Sequence, residues 1–179
     1  MNLNYKKATK IMVLVISSIL IAAVSAQVYS YMYIQGTGEA TTTGLRWVQG
    51  ADAPAGTTIS GSTVTALPLT TNEGTAKNYT DCLRIQNLDA AEGHAFSLTV
   101  TSSTGNVTNW QEFNLVVFNA VTGGTQQAVL DILTLDSVTG LTIPQGATWG
   151  ILFELKPIAN PKTSQQIVFT VRLTYESAA

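Results

Sequence analysis

The sequence predicts an all-β protein, a two-sheet antiparallel β-sandwich, and three observations carry that prediction. From Leu45 onward apolar residues recur at every second position, the period of a half-buried strand. Clusters of Gly, Pro, Asn and Asp break this pattern at intervals of roughly 8–14 residues, as turns between short strands do. No stretch beyond residue 26 sustains a helical period over the length of an ordinary helix. About eight such strands with polar outer faces make a sandwich, and a jelly roll is the expected topology.

The elements follow in order. Residues 1–26 read as a secretory signal peptide: Lys6, Lys7 and Lys10 form a positive start and Ile11 to Ala23 an apolar stretch. Val24-Ser25-Ala26 then offers the small residues of a cleavage site. Residues 27–35, QVYSYMYIQ, place Val28, Ser30, Met32 and Ile34 on one face of a strand and Tyr29, Tyr31 and Tyr33 on the other. Residues 36–43, GTGEATTT, have the composition of a flexible linker. A sandwich domain is expected over 44–179.

Within that domain Leu45 to Val48 makes a short strand, and Ala51 to Thr58, with Pro54 and Gly56, a loop. Strands are expected at Ser62 to Leu69, Tyr79 to Asn87, Phe96 to Thr101, Phe113 to Phe118, Ala128 to Leu135 and Asp136 to Ile143. Gly123-Gly124 reads as a tight turn, and Pro144-Gln145-Gly146 as a turn with proline at its second position. Trp149, Ile151, Phe153 and Leu155 line one face of the next strand. Pro157 to Pro161 is a loop. The clearest pattern comes last, where Ile167, Phe169, Val171, Leu173 and Tyr175 alternate with Val168, Thr170, Arg172 and Thr174.

Composition narrows the function. Charged residues are 11% of the chain, against about 25% in ordinary globular domains. Beyond residue 26 stand six Lys/Arg and eleven Asp/Glu, a net charge of −5, so nucleic acid is not an expected partner. Cys82 is the single cysteine, which rules out an intrachain disulfide; in a strand pattern it reads as a small buried hydrophobe.

Catalytic groups are sparse. His94 is the single histidine; it lies in an expected loop, where it reads as solvated, and no nucleophile-elbow sequence accompanies it. Asp89 with Glu92, or Asp131 with Asp136, lack the spacing of a calcium loop. Trp47, Trp110 and Trp149 fall in different elements, which favours core packing over a sugar platform. No catalytic residue, metal site or cofactor is expected. Asn78-Tyr79-Thr80 and Asn106-Val107-Thr108 are sequons, making Asn78 and Asn106 candidate N-glycosylation sites.

The order of features resembles the TasA/camelysin family of secreted biofilm-fibre proteins and the related archaeal bundling-pilus subunits. Three stretches carry the resemblance: VYSYMYIQ with its Gly-rich link, LPLTTNEGTAKNYTDCLRIQNLDAAEGHAFSLTV, and the closing PKTSQQIVFTVRLTYESA. The similarity is one of pattern, and the chain lacks a long charged C-terminal tail. It implies a jelly-roll subunit of an extracellular filament, secreted or at the cell surface. Its partners would be copies of itself joined by donor-strand exchange through Gln27, Val28, Tyr29, Ser30, Tyr31, Met32, Tyr33, Ile34 and Gln35. Lateral bundling with neighbouring filaments would suit a weakly charged surface, and the membrane would be met only during export.

Physical chemistry sets a condition on that reading. Burying Val28, Met32 and Ile34 contributes roughly 1.5–3 kcal/mol each. Ordering nine residues costs roughly 1–2 kcal/mol each. The tyrosines and the backbone hydrogen bonds, at roughly 0.5–1.5 kcal/mol net apiece, must therefore tip the balance, which asks for a groove paired on both sides and covered on both faces. Two alternatives remain: a type IV pilin-like subunit with Ile11 to Ile34 as a helical assembly core, and a monomeric secreted binding module with the strand folded onto its own domain.

Overall fold

In a computed structural model the described residues are 29–33, 44–60, 63–71, 74–158 and 167–176. They build eleven strands: β1 (Tyr29–Tyr33), β2 (Leu45–Gln49), β3 (Thr58–Ser60), β4 (Thr63–Ala66), β5 (Lys77–Asn87), β6 (His94–Gly105), β7 (Trp110–Phe118), β8 (Gln126–Asp131), β9 (Ser137–Ile143), β10 (Thr148–Pro157) and β11 (Ile167–Glu176). A single 3-10 turn at Val107–Asn109 is the one helical element among the described residues. The all-β class and the antiparallel pairing are those expected.

Two sheets form the body. One has the order β1-β11-β6-β9 and the other β2-β5-β10-β7-β8, while β3 and β4 make a separate hairpin. From β5 to β7 and from β8 to β11 successive strands alternate between the sheets, so the core is shared by both inner faces. Ile151, Phe153 and Leu155 of β10 pack there with Val171 and Leu173 of β11, all essentially solvent-free. Phe113 and Phe153 both set their rings against Phe169, at 5.1 and 5.9 Å between centroids.

Alternation explains most of these assignments and fails where the backbone is irregular. In β11 the expected inward set Phe169, Val171, Leu173 and Tyr175 is buried, and Val168 is exposed. In β5 adjacent Cys82 and Leu83 are both buried, because the register against β10 shifts between Leu83 and Tyr79. Cys82 is thus the buried hydrophobe expected of it; burial, then the nearby Asp52 and Asp81 carboxylates, push its thiol up to about 12. Trp47 and Trp149 lie in the core, and Trp110 stacks on Phe113.

Several local expectations are corrected. β3 starts at Thr58, the last residue of the segment read as a loop, and runs to Ser60, paired with β4. The expected strand Ser62 to Leu69 is shorter, ending at Ala66. The Gly123-Gly124 connection is wider than a two-residue turn: Asn119 and Thr125 close it through Asn119 N–H to the Thr125 carbonyl and Thr125 N–H to Asn119 Oδ1. The turn after β9 is bonded from Ala147 N–H to the Pro144 carbonyl, which puts the proline first rather than second.

Candidate functional site

The two lateral sides of the sandwich are closed differently, and the difference locates the site. On one side β8 and β9, the end strands of their sheets, follow each other directly in the chain. On the other side the end strands are β1 and β2. Ten residues of sequence, 34–43, separate them.

β1 adds to β11 antiparallel, with Tyr29 opposite Glu176, Ser30 opposite Tyr175, Tyr31 opposite Thr174, Met32 opposite Leu173 and Tyr33 opposite Arg172. The strand expected to be free for a neighbour is therefore paired within its own chain. Among the described residues β11 is its one hydrogen-bonded neighbour, because β1 ends the sheet. Gln27, Val28, Ile34 and Gln35, together with residues 1–26 and 36–43, lie outside the described residues. Strand geometry at Tyr29–Tyr33 takes those residues out of a helix running from Ile11 to Ile34. No helix among the described residues is long and apolar enough to cross a membrane.

The firm end of this site is built around Tyr175. Its ring is 5% exposed and meets the His94 ring edge-on at 5.9 Å. Gly44, with φ of +122°, lies so close that a Cβ there would fall 2.6 Å from the Tyr175 hydroxyl. The Gly44 carbonyl accepts from Leu88 N–H, which anchors the start of β2 to the end of β5. Next to it, Asn87 is buried and fully engaged. Its Nδ2 donates to the Glu92 and Pro144 carbonyls, and its Oδ1 accepts from Asp89 N–H.

His94 corrects the sequence reading. It opens β6 opposite Ile143 and is 5% exposed rather than solvated. The reason is the short loop before it: Asp89 turns the chain by accepting from Ala91 and Glu92 N–H, which starts β6 early. Those two N–H groups, and then nearby His94, hold the Asp89 carboxyl below its usual value. Asp89 Oδ2 stands 3.5 Å from His94 Nε2. The other carboxylates weighed as calcium ligands also serve turns: Asp131 accepts from Leu133 N–H and Asp136 from Ser137 N–H. Among the described residues no three His, Cys, Asp or Glu side chains gather as a metal site would need.

A second wall comes from the β3–β4 hairpin. The β4 backbone comes within 8 Å of β1, and β3 and β4 both approach β2. The hairpin therefore lies across the side of the sandwich between the two end strands. Thr63 and Val64 are buried, Val64 fully, and Ile59, Leu67 and Leu69 pack against the core. Tyr79 pins the segment that follows: its hydroxyl donates to the Thr70 carbonyl and accepts from Thr70 N–H and Lys77 Nζ.

At the far end of β2 the chain is stitched to β5. Gly50 N–H donates to the Cys82 carbonyl, and a Cβ on Gly50 would collide with the Asp81 backbone at 1.9 Å. Asp81 accepts from Ala51 N–H and pairs with Arg84 at 2.5 Å. Of the two sequon asparagines, Asn78 is exposed near the start of β5, and Asn106 is half-buried just before the 3-10 turn.

The arrangement offers main-chain pairing along an edge, an aromatic hub and an apolar hairpin; it gathers no nucleophile with a base. Periodicity flagged β1 and the inward face of β11. It missed Gly44, Asn87, the Tyr175 hub and the hairpin, because these act through turns and long-range contacts. No protein-family model matches the chain, and no curated protein matches it.

Proposed function

We propose that the chain is a structural subunit of an extracellular filament, polymerising head-to-tail by donor-strand complementation. The observation that carries the reading is the position of β1. It is short, separated from its domain by ten residues of sequence, and held at the end of a sheet by one ladder. A strand so attached can pair in cis or with the same edge of a neighbour. The strand orders β1-β11-β6-β9 and β5-β10-β7-β8 fit the interleaving of an eight-stranded jelly roll, with β2 added beside β5. In that scheme β1 is an integral strand of the fold, so a subunit that gives it away must receive one.

Electron microscopy of the purified protein tests the proposal, with a variant lacking Gln27 to Gln35 as control. The full chain should form filaments and the deletion should not. Filaments of normal length from the deletion would refute it.

A second reading is favoured by one observation, the pairing of β1 with β11 of its own chain. On that account the protein is a monomeric secreted binding module. Size-exclusion chromatography separates the two: a stable monomer at all concentrations supports the module and a concentration-dependent polymer supports the filament.

A further inference from the structure

We infer that Asn78 carries an N-linked oligosaccharide in the exported protein, and that Asn106, the other sequon asparagine, does not. This rests on the export that the filament reading above requires, and adds to it a covalent modification at one named atom.

Strand geometry separates the two sequons. Asn78, Tyr79 and Thr80 lie in β5, and residues two apart in a strand project from the same face. Asn78 and Thr80 are both exposed, while Tyr79 between them is buried in the core. The amide and the hydroxyl of this sequon therefore stand side by side in solvent on extended backbone. Asn106-Val107-Thr108 is folded differently. Val107 and Thr108 belong to the 3-10 turn, and Asn106 precedes it, half-buried. The Asn106 carbonyl accepts from Asn109 N–H, and the Asn109 carbonyl accepts from Ile158 N–H, which ties the turn to the end of β10. Presenting Asn106 to an enzyme would mean opening those bonds; Asn78 is presented as it stands.

The surroundings of Asn78 suit a sugar. Glu154 of β10 stands opposite it, and Asn114 of β7 comes next in the same row, with its Nδ2 3.4 Å from Glu154 Oε2. Lys156 and Glu112, paired at 3.1 Å, form the following row on that face. Donors and acceptors for sugar hydroxyls thus lie along the outer side of the sheet beside Asn78.

A glycan there also has physical work to do. β2 pairs with β5 from Asn87 to Leu83, and Gly50 and Asp52 N–H carry the contact on to the Cys82 and Asp81 carbonyls. Asp52 Oδ2 then takes Thr80 N–H. Among the described residues no strand continues that side of β5 along Lys77–Tyr79. Main-chain groups two residues apart point the same way, so Asn78 N–H faces this open stretch as Thr80 N–H does. An open edge invites pairing with other chains, and a bulky hydrophilic group at Asn78 would blunt it.

The modification is a group transfer. The donor is an oligosaccharide joined through its anomeric carbon to a polyprenyl phosphate or diphosphate, which the exporting cell supplies together with the transferase. Asn78 Nδ2 bonds to the anomeric carbon, the bond from that carbon to the phosphate oxygen breaks, and the lipid phosphate leaves. The nitrogen gives up one proton.

Mass spectrometry of the chain secreted by the cells that naturally make it tests the assignment. The intact mass should exceed that of the polypeptide by a whole number of sugar residues, and peptide mapping should place the excess on Asn78. Asn78→Gln and Thr80→Val should each abolish it, Thr80→Ser should keep it, and Asn106→Gln should leave it unchanged. Both Asn78 and Thr80 side chains are exposed, so these variants should fold, with an unchanged circular-dichroism spectrum.

A secreted chain bare at Asn78, a glycan on Asn106, or a chain retained inside the cell would overturn the assignment. Filaments built from bare chains would do so while leaving the filament reading intact. A chain glycosylated at Asn78 that forms no filaments would remove the filament reading alone. The Asn78→Gln protein should also gain irregular aggregates under the electron microscope, and their absence at every concentration would remove the edge-covering role.

Discussion

The two sides of the sandwich solve one problem in different ways. Both sheets end in edge strands whose unpaired groups invite association. At β8 and β9 the chain itself supplies the closure. Leu130 at the end of β8 and Ile132 just after it are fully buried, and Ile132 N–H donates to the Phe113 carbonyl, so the link is tied to the core where it begins. At β1 and β2 the closure is assembled from separate elements: a short strand paired to β11 and a hairpin that approaches both end strands. The first side stays closed by its own chain in the proposed filament, and the second is closed by a strand that a neighbour supplies. In the proposed filament that asymmetry gives each subunit one donor and one acceptor, and hence a direction.

Substitutions sharpen this comparison, beginning with the largest effect. Leu130→Ala or Ile132→Ala on the permanently closed side should cost about 2–5 kcal/mol in urea unfolding, as fully buried large-to-small changes do. Once that loss is allowed for, assembly should be unaffected. A loss of assembly without a loss of stability would mean that the β8/β9 side is the interface.

Gly44→Ala acts on the opposite side, at the start of β2. The residue sits at φ of +122° with Tyr175 against it, so the change should destabilise by about 1–3 kcal/mol. It should also disturb the seating of β1 more than any change around β8 and β9. Hydrogen exchange of the β11 amides reads this directly. Equal protection in the variant and the original chain would show that Gly44 does not govern that edge.

The smallest effect is a pH dependence. The Arg84 guanidinium, more than the opposing burial or the Ala51 N–H, holds the Asp81 carboxyl below its usual value. A carboxyl whose folded pKa lies below its unfolded one stabilises at pH above the unfolded value, about 3.9. That contribution is lost as pH falls through the folded value. Asp81→Asn should therefore flatten part of the loss of stability below about pH 4, leaving a remainder that Asp89, shifted the same way, accounts for. An unchanged acid profile would mean that the Asp81 carboxylate, for all its bonds to Arg84 and to Ala51 N–H, adds nothing to the stability of the fold.

How much of this could be seen in the sequence depended on how local its cause was. The inward row Phe169, Val171, Leu173 and Tyr175 was legible because a strand with a dry face writes itself as a period of two. β10 was legible for the same reason. β3 was not, since three residues hold no period and its partner strand follows directly after Gly61 and Ser62, too close for two alternating runs to be told apart. Adjacent burial of Cys82 and Leu83 was hidden because it comes from a register shift against β10. His94 was misread because its burial depends on Asp89 turning the preceding loop and on Tyr175 from the far end of the chain. Residues 27–35 stood out as a strand, but the partner of β1 could not be read, since pairing with β11 spans almost the whole chain.

The most direct measurement is an electron-density map of the assembled filament that traces residues 34–43. The account predicts that this link leaves one subunit and enters β1 on the β11 edge of the next. A link that returns to the β11 edge of its own subunit, with subunits joined through some other surface, would contradict it.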